Sequence, residues 1–398
     1  MSKPGHEAVY RNINARIDAL AGELLEVSHA IHANPELAFQ ERFACDLLSS
    51  TVRRHDLPVE TGVFTLETAF ESSFAGTSPG PTVALLAEYD ALPGIGHACG
   101  HNLIATAALG AMLGLQAVQD QLPGTVRLLG TPAEEKGGGK ELMARAGAFD
   151  HVDAALMIHP AGVNLTTMPC ICVAEVQVIY HGRSAHASAM PHKGINALDG
   201  LLLAYQAISN LRQHIRDQER IHGIVTDGGQ APNIVPERAA GEFYVRAATE
   251  RDLAALKPRV QACFEAGAKG SGCEVEVIWA GVDYLDLNTN QPLARTFRRH
   301  GEALGREFLE PSALGGAGST DMGNVSYRVP SIHPMLASAP ANVVIHNPEF
   351  ARWAGSEMGD KAALDGARAL ALTAAEFLLA PDLQAEVRKA FEVSKGLA

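Results

Sequence analysis

The chain has 398 residues, with 32 Lys plus Arg against 45 Asp plus Glu and a formal charge of −13. That balance excludes a phosphate-backbone binder, which needs clustered cations, and a hydrophobic content of 47% excludes a disordered chain. No run of about 18 apolar residues occurs, so no membrane-spanning helix is expected, and the opening MSKPGHEAVYRN lacks the apolar stretch of a secretory signal. The six Cys (45, 99, 170, 172, 263 and 273) are scattered, which suits a reduced, cytoplasmic protein. The length favours two domains, or one core with a large insertion.

The first 55 residues read as helix, with Ile13, Ile17, Leu20, Leu24 and Val27 at helical spacing. Val83 to Ala87 is a buried parallel strand running into Glu88-Tyr89-Asp90, and Leu103 to Val118 is an Ala-rich helix. Thr125 to Gly130 and Ala154 to Ile158 are further buried strands, ending at Thr131 to Glu135 and at His159. Strands that alternate with helices and end in ligand-type residues describe an α/β sheet with a site at its carboxyl edge. The pattern then changes. Val173 to His181 alternates, Ala197 to Ile215 is helical, Gly223 to Asp227 and Gly241 to Ala247 are strands, Leu253 to Ala268 is helical, and Cys273 to Ala280 alternates again. This β-α-β-β-α-β order matches a ferredoxin-like α+β module. Leu293 to Leu304 reads as helix, Gly315 to Gly323 as a Gly-rich loop, and Ser356 to Leu379 as a long helix.

Four clusters carry chemistry. Gly96 to Asn102 (GHACGHN) brings Cys99 and His101, both good zinc ligands, to the start of a helix. Asp90, at the preceding strand's end, is placed to orient a ligating imidazole. Thr131 to Glu135 ends in two adjacent carboxylates, which a β-like segment would point in opposite directions, one to a metal and one to a water as general base. His159 and His346 follow, the first at a strand's end and the second in IHNP. Each cluster has an ordinary explanation, such as a buried structural Cys, an acidic turn or a core histidine. Four together, three of them at one sheet edge, are harder to dismiss. Gly137-Gly138-Gly139-Lys140 lacks the Ser/Thr and the spacing of a phosphate loop. No Gly-x-Ser-x-Gly elbow follows a strand, which disfavours a serine hydrolase.

The segments IHANPELAFQE, EYDALPGIGHACGHN, GTPAEE, MIHP, GRSAHASAMPHKGINALDG, APNIVPERA, GSTDMGNVSYRVPSIHP and IHNPEF run in order over residues 31–350. In them the chain resembles the co-catalytic metallopeptidases that include aminoacylases, carboxypeptidase G, and hippurate and indole-acetyl-amino-acid hydrolases. The wording is most similar to the aminobenzoyl-glutamate hydrolase and Xaa-Arg dipeptidase branches, which share GHACGHN. The resemblance implies an α/β catalytic domain, residues 1–175 and 285–398, with a mixed, largely parallel sheet flanked by helices. A ferredoxin-like α+β dimerisation, or lid, domain would be inserted at residues 176–284. It implies two divalent metal ions, zinc first and manganese or cobalt as alternatives, bridged by Cys99. His101 and Glu135 would complete one side, and His159 and His346 would supply the rest. Glu134 would be the general base. His186, in SAHAS, would reach the active site of the partner subunit in a homodimer, and Asn233 and Arg246 would hold the carboxylate or carbonyl of a small N-acyl amino acid or dipeptide. Asn102 replaces the family's usual Asp and could cap the following helix, Asp321 stands where many relatives have Glu-Asp, and His333 competes with His346. Two other readings are a hydrolase using Cys99 as nucleophile with His97 or His101, and a metal-binding homologue without activity.

Overall fold

The computed structural model describes residues 6–310 and 318–396. The described residues up to Pro169, with those from Leu287 onward, form one compact unit, and Cys170–Asp286 form a second. In chain order the first unit begins with α1 (Glu7–Ala33), α2 (Arg42–Arg54), β1 (Val59–Thr61), β2 (Phe70–Ala75), β3 (Ser78–Ala87) and α3 (His101–Gln116). It continues with β4 (Pro123–Gly130), α4 (Gly139–Arg145), β5 (Ala154–Leu156) and β6 (His159–Ala161). The second unit holds β7 (Cys172–His181), α5 (Ala197–Leu211), β8 (Arg220–Asp227), β9 (Arg238–Ala247), α6 (Glu250–Ser271) and β10 (Glu274–Trp279). The chain then returns through α7 (Gln291–Ala303), α8 (Met322–Ser326), β11 (Ser331–Ile332), β12 (Met335–Ala337), α9 (Pro348–Ala354), α10 (Glu357–Leu379) and α11 (Pro381–Ser394).

The expected single N-terminal helix is two helices. Pro35 disfavours helical backbone at Asn34, and the break turns Glu36 and Glu41 back on the chain. Glu36 accepts hydrogen bonds from the N–H groups of Phe43 (2.9 Å) and Ala44 (3.0 Å), capping α2. The apolar stripe of α1, from Val9 through Ile13, Ile17 and Leu24 to Ile31, is buried as its spacing requires. It packs on α3, which also packs on α10. Helix α3 is buried on every face, and its small residues permit this. A Cβ on Gly114 would lie 3.0 Å from the Ile17 side chain.

The main sheet has six strands in the order β1-β2-β4-β3-β5-β11. Strand β4 pairs parallel with β3, β3 with β5, and β5 with β11, while β1 and β2 form an antiparallel edge. Ala87 lies opposite Gly130, and Leu85 opposite Leu156. The segments after β3, β4 and β5 therefore emerge side by side at one carboxyl edge. His159 does not end the strand begun at Ala154. It opens β6, which pairs parallel with β12. Part of the Gly-rich loop expected at 315–323 lies outside the described residues, and Met322 and Gly323 begin α8.

In the second unit the sheet order is β10-β7-β9-β8, with every pairing antiparallel. Ala174, Val176, Val178, Ile221, Phe243 and Val245 form its core with α5 and α6 residues, so alternate residues such as Glu175 and Tyr244 face the other way. The helices cross closely, since a Cβ on Gly267 would lie 2.3 Å from the Gly200 carbonyl oxygen.

Candidate metal centre

Cys99 and His101 sit where the loop after β3 becomes α3. Gly100 is the N-cap at φ 78°, a left-handed backbone that an L side chain rarely adopts, and a Cβ there would lie 2.9 Å from the Pro160 ring. The close approach sets Cys99 beside His159, with Sγ and Nε2 3.4 Å apart. Asn102 does not cap the helix. Its amide donates to Ser28 Oγ and the Ala354 carbonyl, each at 3.0 Å, joining α1, α3 and the end of α9.

Asp90 positions two groups. One oxygen lies 3.1 Å from His101 Nδ1, and the other accepts the Glu135 N–H at 2.9 Å. With Nδ1 engaged, His101 Nε2 is left buried without a hydrogen-bond partner. That nitrogen lies 3.6 Å from Glu88 Oε2, 3.8 Å from Glu134 Oε2 and 3.8 Å from Glu135 Oε1. The two glutamates do not diverge as a β-like segment would require. They lie in a turn that follows Ala133, which stands at φ 61°, and both reach the same imidazole. The buried Glu41 holds that turn, accepting the Ala133 N–H at 2.8 Å and the Thr68 hydroxyl at 2.9 Å.

Three groups of ligand-type atoms result, each within a 4.8 Å span, and Cys99 belongs to two of them. Those two are Cys99, His101 and His159, and Cys99, Glu135 and His346; the third is Glu88, His101 and Glu134. His101 thus groups with Cys99 and His159, and also with Glu88 and Glu134, but in no group with Glu135. His346 stands at φ 61°, donates its N–H to the Ala98 carbonyl at 2.8 Å, and brings Nε2 within 3.4 Å of Glu135 Oε2. His333 is in none of these groups; its buried ring packs on that of His159, with centroids 5.4 Å apart. The buried, partnerless His101 Nε2 and Glu135 Oε1, with one thiol and imidazoles on both sides, fit two borderline divalent ions. Burial, then the charge of His101, lowers His159 to about 3, so it is a neutral imidazole, the form that ligates. Burial, then Glu88 and Glu135, pushes Glu134 well above the usual carboxylate range.

Sequence reasoning missed the charged layer beneath this edge. Lys140, set aside with its glycines, is fully buried, and its Nζ pairs with Glu88 and, at 2.7 Å, with Asp321. Asp321 also accepts the Lys140 N–H at 2.8 Å. A Cβ on Gly139 would lie 1.8 Å from the Pro132 carbonyl oxygen, so the glycine lets the chain turn back to deliver this lysine. The available signal was a lone Lys beside the acidic strand ends, but its partner Asp321 is 181 residues away.

His186, Asn233 and Arg246 lie in the second unit. His186 is exposed, and its Nδ1 accepts the Ala189 N–H at 3.2 Å. The ladder between β7 and β9 runs on past their ends, with the Ala187 N–H donating to the Asn233 carbonyl at 3.0 Å. His186 and Asn233 therefore sit together beyond the start of β9. Arg246 is near its other end, opposite Arg220 and Val173. The strand between Arg238 and Arg246 spans roughly 26 Å at the usual rise.

Residues 84–374 match peptidase family M20/M25/M40. The chain belongs to that family. It is 39% identical over 400 residues to the Xaa-Arg dipeptidase of Mus musculus, covering 97% of this chain and 93% of the relative. It is 33% identical over 291 residues to one of the subunits of the p-aminobenzoyl-glutamate hydrolase of Escherichia coli K12, covering 68% of this chain and 60% of that one. A Bacillus subtilis dinuclear metal binding peptidase of the M20 family shares the fold, with a TM-score of 0.68, 22% identity, and coverage of 90% of this chain and 99% of that one. The chain is a hydrolase of amide bonds that depends on divalent metal. Among the described residues, no helix is long and apolar enough to cross a membrane.

Proposed function

We propose that the chain hydrolyses the amide bond of an N-acyl amino acid or dipeptide at a dinuclear centre with Glu134 as general base. The observation that carries this is Cys99, shared by two ligand groups with Glu134 within 3.8 Å of His101. Cys99, His101 and His159 would hold one ion, and Cys99, Glu135 and His346 the other. Zinc suits the thiolate best, with manganese or cobalt as alternatives. When bound, the ions would polarise the scissile carbonyl and make a water acidic near neutral pH. Glu134 takes the proton of the attacking water on its carboxylate and passes it to the leaving nitrogen. Burial beside Glu88 and Glu135 raises the affinity of Glu134 for a proton, and the positive charge of bound ions would favour its ionised form.

His186 donates a hydrogen bond to the developing oxyanion, and Asn233 and Arg246 hold the substrate's carboxylate or carbonyl. Their separation along β9 supports two chains per site, one giving His186 and Asn233 and the other Arg246. A homodimer through the inserted domain, residues 176–284, has a further support. Strand β8 is a sheet edge, and the apolar Ile224 and Val225 on it and Leu202 on α5 are exposed. The dipeptidase relative favours a basic released residue. Six free cysteines suit the cytoplasm.

A nucleophilic Cys99 would leave Glu134, Glu135 and His346 without roles. A metal-binding homologue without activity would have no need of Glu134. Exhaustive chelation tests the proposal. Activity on acyl amino acids and dipeptides should disappear and return with added zinc or manganese. Full turnover by verified metal-free protein would refute it.

A further inference from the structure

The face of the second unit's sheet that points away from its helices carries a patch of opposed charges. Glu175 on β7 and His222 on β8 both lie directly opposite Tyr244 on β9, and Arg246 is two residues further along on the same face. Glu175 is thus a diagonal neighbour of Arg246, a relation that spans about 7–8 Å between backbones. Tyr244 stands between the two charges. The Arg246 guanidinium carbon lies 5.7 Å from the centre of its ring, and its hydroxyl bonds to Glu175. The His222 ring lies 5.7 Å from that of Tyr244, and its Nε2 accepts from Arg246 Nε at 3.3 Å. The guanidinium is thereby held by the ring on one side and the imidazole on the other. Glu175 and Arg246 are half-buried, and Tyr244 is 38% exposed.

We infer that Glu175 selects for a cationic side chain on the amino acid released, while Arg246 holds that amino acid's carboxylate. This rests on the reading of Arg246 under Proposed function. The spacing suits the ligand. An extended lysine sets its ammonium roughly 6–7 Å from its carboxylate carbon, by ordinary bond lengths. That is close to the backbone separation of two diagonal neighbours, between which Tyr244 stands. Glu175 already interacts with Tyr244 and Arg246; a cationic side chain would add a second positive partner that a neutral one lacks, and an acidic one would oppose it directly.

The test uses full-length, metal-loaded protein and two sets of substrates: alanyl-lysine, alanyl-norleucine and alanyl-glutamate, with the matching N-acetyl amino acids. Norleucine keeps the length of lysine without the charge. Wild type should prefer lysine. Glu175→Gln should lower kcat/KM for the lysine substrates about 10- to 100-fold, mostly through KM, as expected for loss of a charge-assisted bond. The norleucine substrates should change less than about two-fold by the same reasoning, since they make no such bond. Glu175→Lys should reverse the preference between lysine and glutamate. Equal losses on lysine and norleucine would make Glu175 a structural residue and overturn the inference, and so would no loss on either. Unchanged metal content and circular dichroism identify variants that fold, and if Glu175→Lys fails to fold, Glu175→Gln decides. Active wild type without a preference for lysine defeats the inference alone. Wild type inactive on every substrate defeats the underlying reading as well.

Discussion

The two units carry their functional candidates in opposite ways. In the first unit, Cys99, His101, Glu134 and His159 are buried at one sheet edge, and backbone hydrogen bonds, Asp90 and Glu41 fix the segments that bear them. In the second unit, His186 and Asn233 are exposed in a loop pair beyond the sheet, at the opposite end of β9 from Arg246. A metal-type constellation needs donors held within a few ångströms before anything binds, so one chain must over-determine it. Groups that meet a substrate can be supplied by different chains, and a single chain then shows them scattered. The contrast teaches that compactness within one chain points to a candidate metal centre, whereas candidate substrate contacts need not be compact within one chain.

The largest expected effect lies on the compact side. Glu134→Gln should keep its metal and lose about 10²–10⁴-fold in turnover, the usual worth of a general base. Glu135→Gln should instead lose metal, because a ligand oxygen is gone. Metal analysis of both purified variants separates the roles. If Glu134→Gln is the one that loses metal, the assignments are exchanged.

The next effect tests the scattered side. His186→Ala should lower turnover much more than metal content, since it removes a transition-state contact. Mixing inactive Glu134→Gln with inactive His186→Ala under subunit exchange should restore about a quarter of the sites, given two-fold symmetry. Exchange that is proven, yet restores nothing, would show that His186 acts within its own chain, and the comparison would lose its explanation.

A third prediction concerns stability. Lys140→Met strands Glu88 and Asp321 as buried charges and should cost about 3–5 kcal/mol, read from the urea midpoint. In the second unit, the Lys257–Asp283 pair, 2.7 Å apart with side chains 25% and 29% exposed, should cost less than about 1 kcal/mol when Lys257 becomes Met. Similar costs for the two would show that the layer beneath the metal centre is no more buried in effect than the pair in the second unit.

Much of this was legible in the sequence. The apolar stripe of α1, the parallel core strands β3, β4 and β5, and the β-α-β-β-α-β order of the second unit follow from local periodicity. So does the placing of Asp90, Glu134, Glu135 and His159 near one edge, because a strand's end fixes where the next residues emerge. Local reasoning failed where backbone departs from regular conformations. The left-handed Ala133, held by Glu41, and the second short strand at His159, paired with β12, each depend on partners far along the chain, whereas the break at Pro35 is local.

By itself, then, the sequence determined which residue types stand at the ends of which strands, and with that the metal-type chemistry and the α/β framework. Only the tertiary structure showed which candidate donors lie together, with His159 beside Cys99 and His101, and His346 beside Glu135. It alone revealed Glu41 and Lys140 as buried supports, and it set Asn233 beyond the start of β9 and Arg246 near its other end. The physical reason is range. Periodicity and strand direction act over a few residues, whereas the pairing of charges such as Lys140 and Asp321 exists only once the packed core has excluded water and joined distant segments.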